Sequence, residues 1–308
     1  MDAVIIAGGI PQPQDSLYAY SNGESKALID MAGKPMVQWV LDALGAAKTI
    51  DRVVIVGLTP KSRLSCSKPL FHVSNEGKLL ANIQAGTAKV VQLNPRAEYV
   101  LFVTSDIPAI TGQMVDWVVN TGLLTKHDIY YSVIPRQVME ERFPAARRTF
   151  VRLKDIEACG GDMNMARTAI VDKNSEFWDR LIEARKNPAA QASLLGFDII
   201  LRFLFRQLTA DDVIRRLAER LGLRGRALIC PFAEVGMDVD KPHQLELMRA
   251  HLARGQRRRT TGRPSGRRVT TKRTPAAKHK RSAGKTSKVG GRKAVSKAGR
   301  ASGRPRRR

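Results

Sequence analysis

The sequence predicts an α/β domain built on a mostly parallel, doubly wound sheet. Two observations carry this reading: apolar, β-branched runs of strand length alternate with segments of helical period, and the first such run, VIIAGG, ends in two glycines. Parallel neighbours need a crossover, usually helical, and a sheet covered on both faces is apolar along its whole length.

Residues 3–7 read as the first buried strand, closing on Gly8 and Gly9. A polar loop leads into SKALIDMAGKP (25–35), then a helix over 35–46 whose Met36, Val40, Leu41 and Leu44 recur at helical spacing. Pro35 suits a first helical turn. Strands are expected at 52–57, 99–104 and 129–134, with helices at 78–91 and 112–121. The second half is more mixed. Short strands are expected at 150–153 and 163–171 around a turn, CGGD, followed by a helix at 175–186. Residues 193–221 read as largely helical, with Phe197, Ile200, Leu201, Leu204 and Phe205 as a packing face. The runs 227–230 and 234–239 should return to the sheet before a last helix at 242–253.

Charge divides the chain. Of its 53 Lys and Arg, 21 lie between Gln256 and Arg308, where there is no Asp or Glu, so most of the +25 net charge belongs to that end. The expected organisation is a domain over 1–253 and a basic tail over 254–308. With almost no large apolar residue the tail should be disordered. It should bind nucleic acid or another polyanion through counterion release, without base stacking. No apolar run reaches the length of a membrane span, and the chain opens on a core strand rather than a signal sequence, so a cytoplasmic location is expected. Cys66, Cys159 and Cys230 are odd in number and dispersed, as reduced thiols are. The five histidines lack metal-ligand spacing, and neither GxxxxGK[ST] nor GxGxxG occurs.

Candidate chemistry sits where apolar runs stop. Ala7, Gly8 and Gly9 bring backbone N–H groups to a strand's carboxyl end, where open sheets bind phosphate, and Lys26 adds a fixed charge. In VLFVTSDIPAIT (100–111) a strand presents Asp106, and Pro108 turns the chain away; Thr111 would be the better helix cap. Far downstream, EVGMDVDKPHQLELM (234–248) offers Asp238 and Asp240.

The order of these parts resembles the nucleotidyltransferases of GT-A-like fold, among them the sugar-1-phosphate nucleotidyltransferases and the molybdenum-cofactor guanylyltransferases. The resemblance covers about residues 1–253. It implies Mg²⁺-dependent transfer of a nucleotidyl group from a nucleoside triphosphate to a phosphorylated small-molecule acceptor, with release of pyrophosphate. Asp106 takes the place of the magnesium-binding aspartate. Aligning Pro242 and Leu245 with the family's closing D-x-D-T-P-x-D-L puts Asp240 on the second metal acid, with Asp238 as a nearby alternative. Lys26, Asp106 and Asp240 are thus the expected catalytic set. The nucleotide would lie against Ala7, Gly8, Gly9, Lys26, Asn82 and Gly86, and the acceptor against Gly160, Gly161, Asp162 and Asn164. The chain departs from the pattern at Lys241 and Gln244, and in lacking the Arg that commonly follows the glycines. Two other readings share the sequence. One is an inactive domain carrying a polyanion-binding tail. The other is a glycosyltransferase, which usually shows DxD after the central strand where this chain has SDIP.

Overall fold

In a computed structural model that describes residues 1–171 and 207–261, the first strand lies inside the sheet, between two parallel neighbours. β1 (Asp2–Ile6) pairs in parallel with β2 (Arg52–Val56), which pairs in parallel with β3 (Leu70–Val73). On its other edge β1 pairs in parallel with β4 (Tyr99–Thr104). Beyond β4 the sheet turns antiparallel. β5 (Ile129–Pro135), β6 (Val151–Arg152), β7 (Glu157–Gly160) and β8 (Met163–Arg167) complete the order β3, β2, β1, β4, β8, β5, β7, β6. β9 (Gly225–Ile229) rejoins β5 in parallel.

Strand alternation feeds two cores. Ala3, Ile5, Val53, Ile55, Leu101 and Val103 point into the larger core. Helices α2 (Met36–Ala46) and α4 (Gly112–Leu123) pack there, and the four-residue helix α1 (Tyr18–Ser21) precedes them in the chain. Val4, Val54, Val56 and Val100 face the opposite way, against Val90 of α3 (Leu79–Leu93). Helices on both faces explain why these strands read as unbroken apolar runs. A short helix, α5 (Arg136–Arg142), follows β5. Helix α6 (Ala210–Glu219) opens on a capping box between Thr209 and Asp212, and α7 (Pro242–Thr261) ends the described chain.

Three expectations are corrected. The CGGD segment is not a turn between strands. Tyr130 pairs with Met165 and Val133 with Gly160, so residues 161–164 stand opposite only 131–132, and β7 and β8 form one bent strand interrupted by a bulge. Residues 234–239 do not join the sheet: a 3-10 turn (Ala233–Gly236) leads into extended chain that crosses the strand ends, where Asp162 N–H bonds Val235 O. The last helix runs past residue 253 to Thr261. β3, β7 and α5 carry no clear periodic signal, being short and only partly buried. The helix expected at 175–186, the first part of that expected at 193–221 with its packing face, and the tail from 262 lie outside the described residues. Among the described residues no helix is long and apolar enough to cross a membrane.

Candidate active site

The strand order reverses direction between β1 and β4, and their carboxyl ends open the crevice where sheets of this kind bind ligands. Gly57 makes the floor possible. With φ at +97°, it places its α-carbon so close beneath the first loop that a Cβ would lie 2.2 Å from Gly8 Cα. The loop after Gly9 is stitched back on itself: Ser25 Oγ donates to Ala7 O at 2.7 Å and Lys26 N–H to Gly9 O at 2.9 Å. These bonds present Lys26 over the crevice at the start of a 3-10 turn (Lys26–Leu28).

Lys26 Nζ donates to Asp106 Oδ2 at 2.6 Å and also pairs with Asp240 Oδ1. Thr104 Oγ1 donates to the other Asp106 oxygen at 2.6 Å. Backbone bonds bring the two aspartates together. Val239 N–H donates to Asp106 O at 3.0 Å, and Ser16 Oγ to Asp240 O at 2.7 Å. Gln244 Oε1 accepts from the N–H groups of Asp240 and Lys241, both at 2.9 Å. The residue standing in place of the family's acid therefore works as the reaching side chain of a capping box at the head of α7. Lys241 lacks the hydroxyl that would complete it.

These groups line a cleft of about 940 Å³. Lys26, Asp106, Asp162, Asp238 and Asp240 bring charge to its wall, and Leu79, Ile83, Phe102, Met165 and Ile170 bring apolar surface. Charge is unevenly balanced. Burial opposes the Lys26 charge, yet Asp106 and Asp240 outweigh it and hold the ammonium well above its ordinary pKa. Burial, then the neighbouring Asp106 carboxylate, pushes Asp162 up to about 7 against the pull of Arg148. Asp238, the alternative metal acid, is engaged by the Arg148 guanidinium, both side chains being under one-fifth exposed. Asp240, 56 % exposed, is the more accessible of the two.

Among the described residues no three His, Cys, Asp or Glu side chains converge as a ready metal cage. Two facing carboxylates nevertheless suit Mg²⁺, which takes most of its octahedral shell from water and substrate phosphates. The carboxylate excess in the cleft wall is the charge environment such an ion requires.

Not every expected residue reaches the cleft. Asn82 is buried, its amide bonded to Asn75 and to Glu76 N–H. Gly86 lies against the sheet, where a Cβ would sit 2.5 Å from Val4 Cγ1, so it serves helix-to-sheet contact. Gly160 and Gly161 make room for β5, a Cβ on Gly160 falling 2.4 Å from Tyr131 Oη and one on Gly161 2.7 Å from Ile134 Cδ1. Asn164 borders the cleft, but its amide accepts from Ser132 N–H at 2.8 Å and donates to Gly161 O at 3.0 Å, restoring bonds that the bulge breaks. Asp162 is thus the cleft-facing carboxylate of the bulge. Arg148, Thr104, Ser16 and Tyr131 emerge only in the structure. Thr104 had a signal, two residues before Asp106 at the strand's last position; Arg148 had none.

Comparison with known proteins gives the same outline. The family model of the MobA-like NTP transferase domain matches residues 3–190. A hypothetical transferase from Thermus thermophilus is 32% identical, with 79% of this chain and 98% of that one covered and a TM-score of 0.69. CMP:2-keto-3-deoxy-manno-octonic acid synthetase, solved with CTP, shares the fold at 15% identity, 83% and 100% coverage and a TM-score of 0.53. No curated protein matches. With the family model spanning more than half of its length, the chain belongs to the MobA-like NTP transferase domain family and is a nucleotidyltransferase.

Proposed function

We propose that the chain transfers a nucleoside monophosphate group to a phosphorylated small molecule in a Mg²⁺-dependent reaction. A phosphate oxygen of the acceptor attacks the α-phosphorus of a nucleoside triphosphate. The bond between the α-phosphorus and its bridging oxygen breaks, and pyrophosphate leaves with that oxygen. The observation that carries this reading is the meeting of Lys26, Asp106 and Asp240 at the sheet's reversal point.

Mg²⁺ held by Asp106 and Asp240 would neutralise the charge that spreads onto the departing pyrophosphate. The chain's own groups do the rest by placement. Backbone N–H groups around Gly8 and Gly9 cradle phosphate. Lys26, which balances the two carboxylates here, is the long, jointed cation that reaches the triphosphate in place of the missing loop Arg. Thr104 fixes the Asp106 carboxylate in rotation, leaving its orientation independent of the ligand. Asp162 faces the acceptor side and offers its carboxyl group to hydroxyl groups there. The test is pyrophosphate release from each of the four ribonucleoside triphosphates with Mg²⁺ and a panel of phosphorylated acceptors. Release with one pairing, abolished by chelation, supports the reading. Bound nucleotide with no release under any pairing overturns it.

The basic end of the chain supports a second, separable property. Its 21 cations with no acidic neighbour would hold nucleic acid or another polyanion without reading its sequence.

A further inference from the structure

The loop that follows β1 is held from a direction the sequence does not announce. Gly8 O accepts a hydrogen bond from Asn75 Nδ2 at 3.0 Å. Asn75 Oδ1 in turn accepts from Gly77 N–H and from Asn82 Nδ2, each at 3.0 Å. Asn82 Oδ1 accepts from Glu76 N–H at 2.7 Å, and Asn82 itself is 5% exposed on α3. All four polar atoms of the two amides are therefore used, and turning either amide over would set donor against donor and acceptor against acceptor. Glycine is required at position 8 for this closure, because a Cβ there would lie 2.7 Å from Asn75 Oδ1.

A trans peptide points its C=O and its N–H in opposite directions. Pinning Gly8 O toward Asn75 turns the Gly9 N–H the other way, and Gly9 lines the cleft with Lys26 and Asp106. We propose that Asn82 and Asn75 form a positioning relay that aims the Gly9 N–H at the β- and γ-phosphates of a nucleoside triphosphate. The proposal rests on the nucleotidyl-transfer reading above, and it moves Asn82 from contact with the base to control of the phosphate loop. A buried amide is well suited to this, since its own bonds fix it before ligand arrives.

The relay is tested by titrating the full-length protein, with Mg²⁺, against each nucleoside triphosphate and its monophosphate. Wild type, Asn75→Ala, Asn82→Ala and the double variant are compared. Each single variant should lose roughly tenfold in triphosphate affinity, the worth of one hydrogen bond to a charged group, while monophosphate affinity holds. The double variant should be no worse than the weaker single one, because the two residues act in series. Asn75 is exposed, so its replacement keeps the test sound even where Asn82→Ala unfolds. Equal losses for both nucleotides would make these residues base contacts and overturn the relay. Unchanged affinities, or additive losses in the double variant, would overturn it too. A wild type that binds no nucleoside triphosphate would overturn the nucleotidyl-transfer reading itself, and the relay with it.

Discussion

Lys26 concentrates the chemistry of this chain in one ammonium group shared by carboxylates from two distant segments. Asp106→Asn and Asp240→Asn should each lower turnover by about two orders of magnitude or more, as expected when a main source of charge stabilisation is removed. Circular dichroism should show both variants folded, and full activity in either would exclude a two-aspartate metal site. Asp162 makes a prediction about pH. Its folded-state pKa of about 7 lies above the ordinary carboxylate value of 3.8, so the native state binds the proton more tightly than the unfolded chain. Stability of the metal-free protein should therefore fall as pH rises from about 4 through 7, where this carboxylate is forced to ionise beside Asp106. Asp162→Asn should melt higher than wild type at pH 8 in EDTA and gain nothing at pH 4. An equal gain at both pH values would assign the effect to packing instead.

At the scale of elements, what was legible depended on whether a signal was local. Gly8, Gly9, Lys26, Asp106 and Asp240 lie where apolar runs give way to polar residues, and the structure gathers them at one end of the sheet. Asn75 and Arg148 lie in unpatterned loops and take on meaning only through partners remote in sequence. The CGGD segment misled because adjacent glycines serve a turn and a bulge equally well, and only pairing with β5 separates the two. Gly86 also illustrates the limit, since a glycine facing a ligand and one facing a valine look alike in sequence. Gly86→Ala should cost about 1–3 kcal/mol of stability through overpacking against Val4, with nucleotide affinity per folded molecule unchanged. Thermal melts and titration together check this, and a selective loss of affinity would restore Gly86 to the base site. The half-built cap on α7 gives a prediction of opposite sign. Lys241→Thr should stabilise by about 0.5–1 kcal/mol, measured by urea unfolding, because it supplies the hydroxyl missing opposite Gln244.

For the whole molecule, the expected boundary at 253 falls inside α7, so a test of the tail should cut after Thr261. That cut removes 18 Lys and Arg. It should leave nucleotidyl transfer intact and abolish binding to DNA, RNA or anionic vesicles. In the full chain that binding should weaken steeply with salt and ignore base sequence. Loss of turnover on truncation would make the tail part of the working site.

The hydrogen bond from Val239 to Asp106 joins two segments that leave the ribosome far apart in time. A nascent chain that has emerged only as far as residue 190, where the family match stops, already possesses the glycine loop, Lys26 and Asp106. It still lacks Asp240, one of the two carboxylates that pair directly with Lys26. On the two-aspartate reading proposed above, an unfinished or clipped chain would lack the second carboxylate and should release no pyrophosphate.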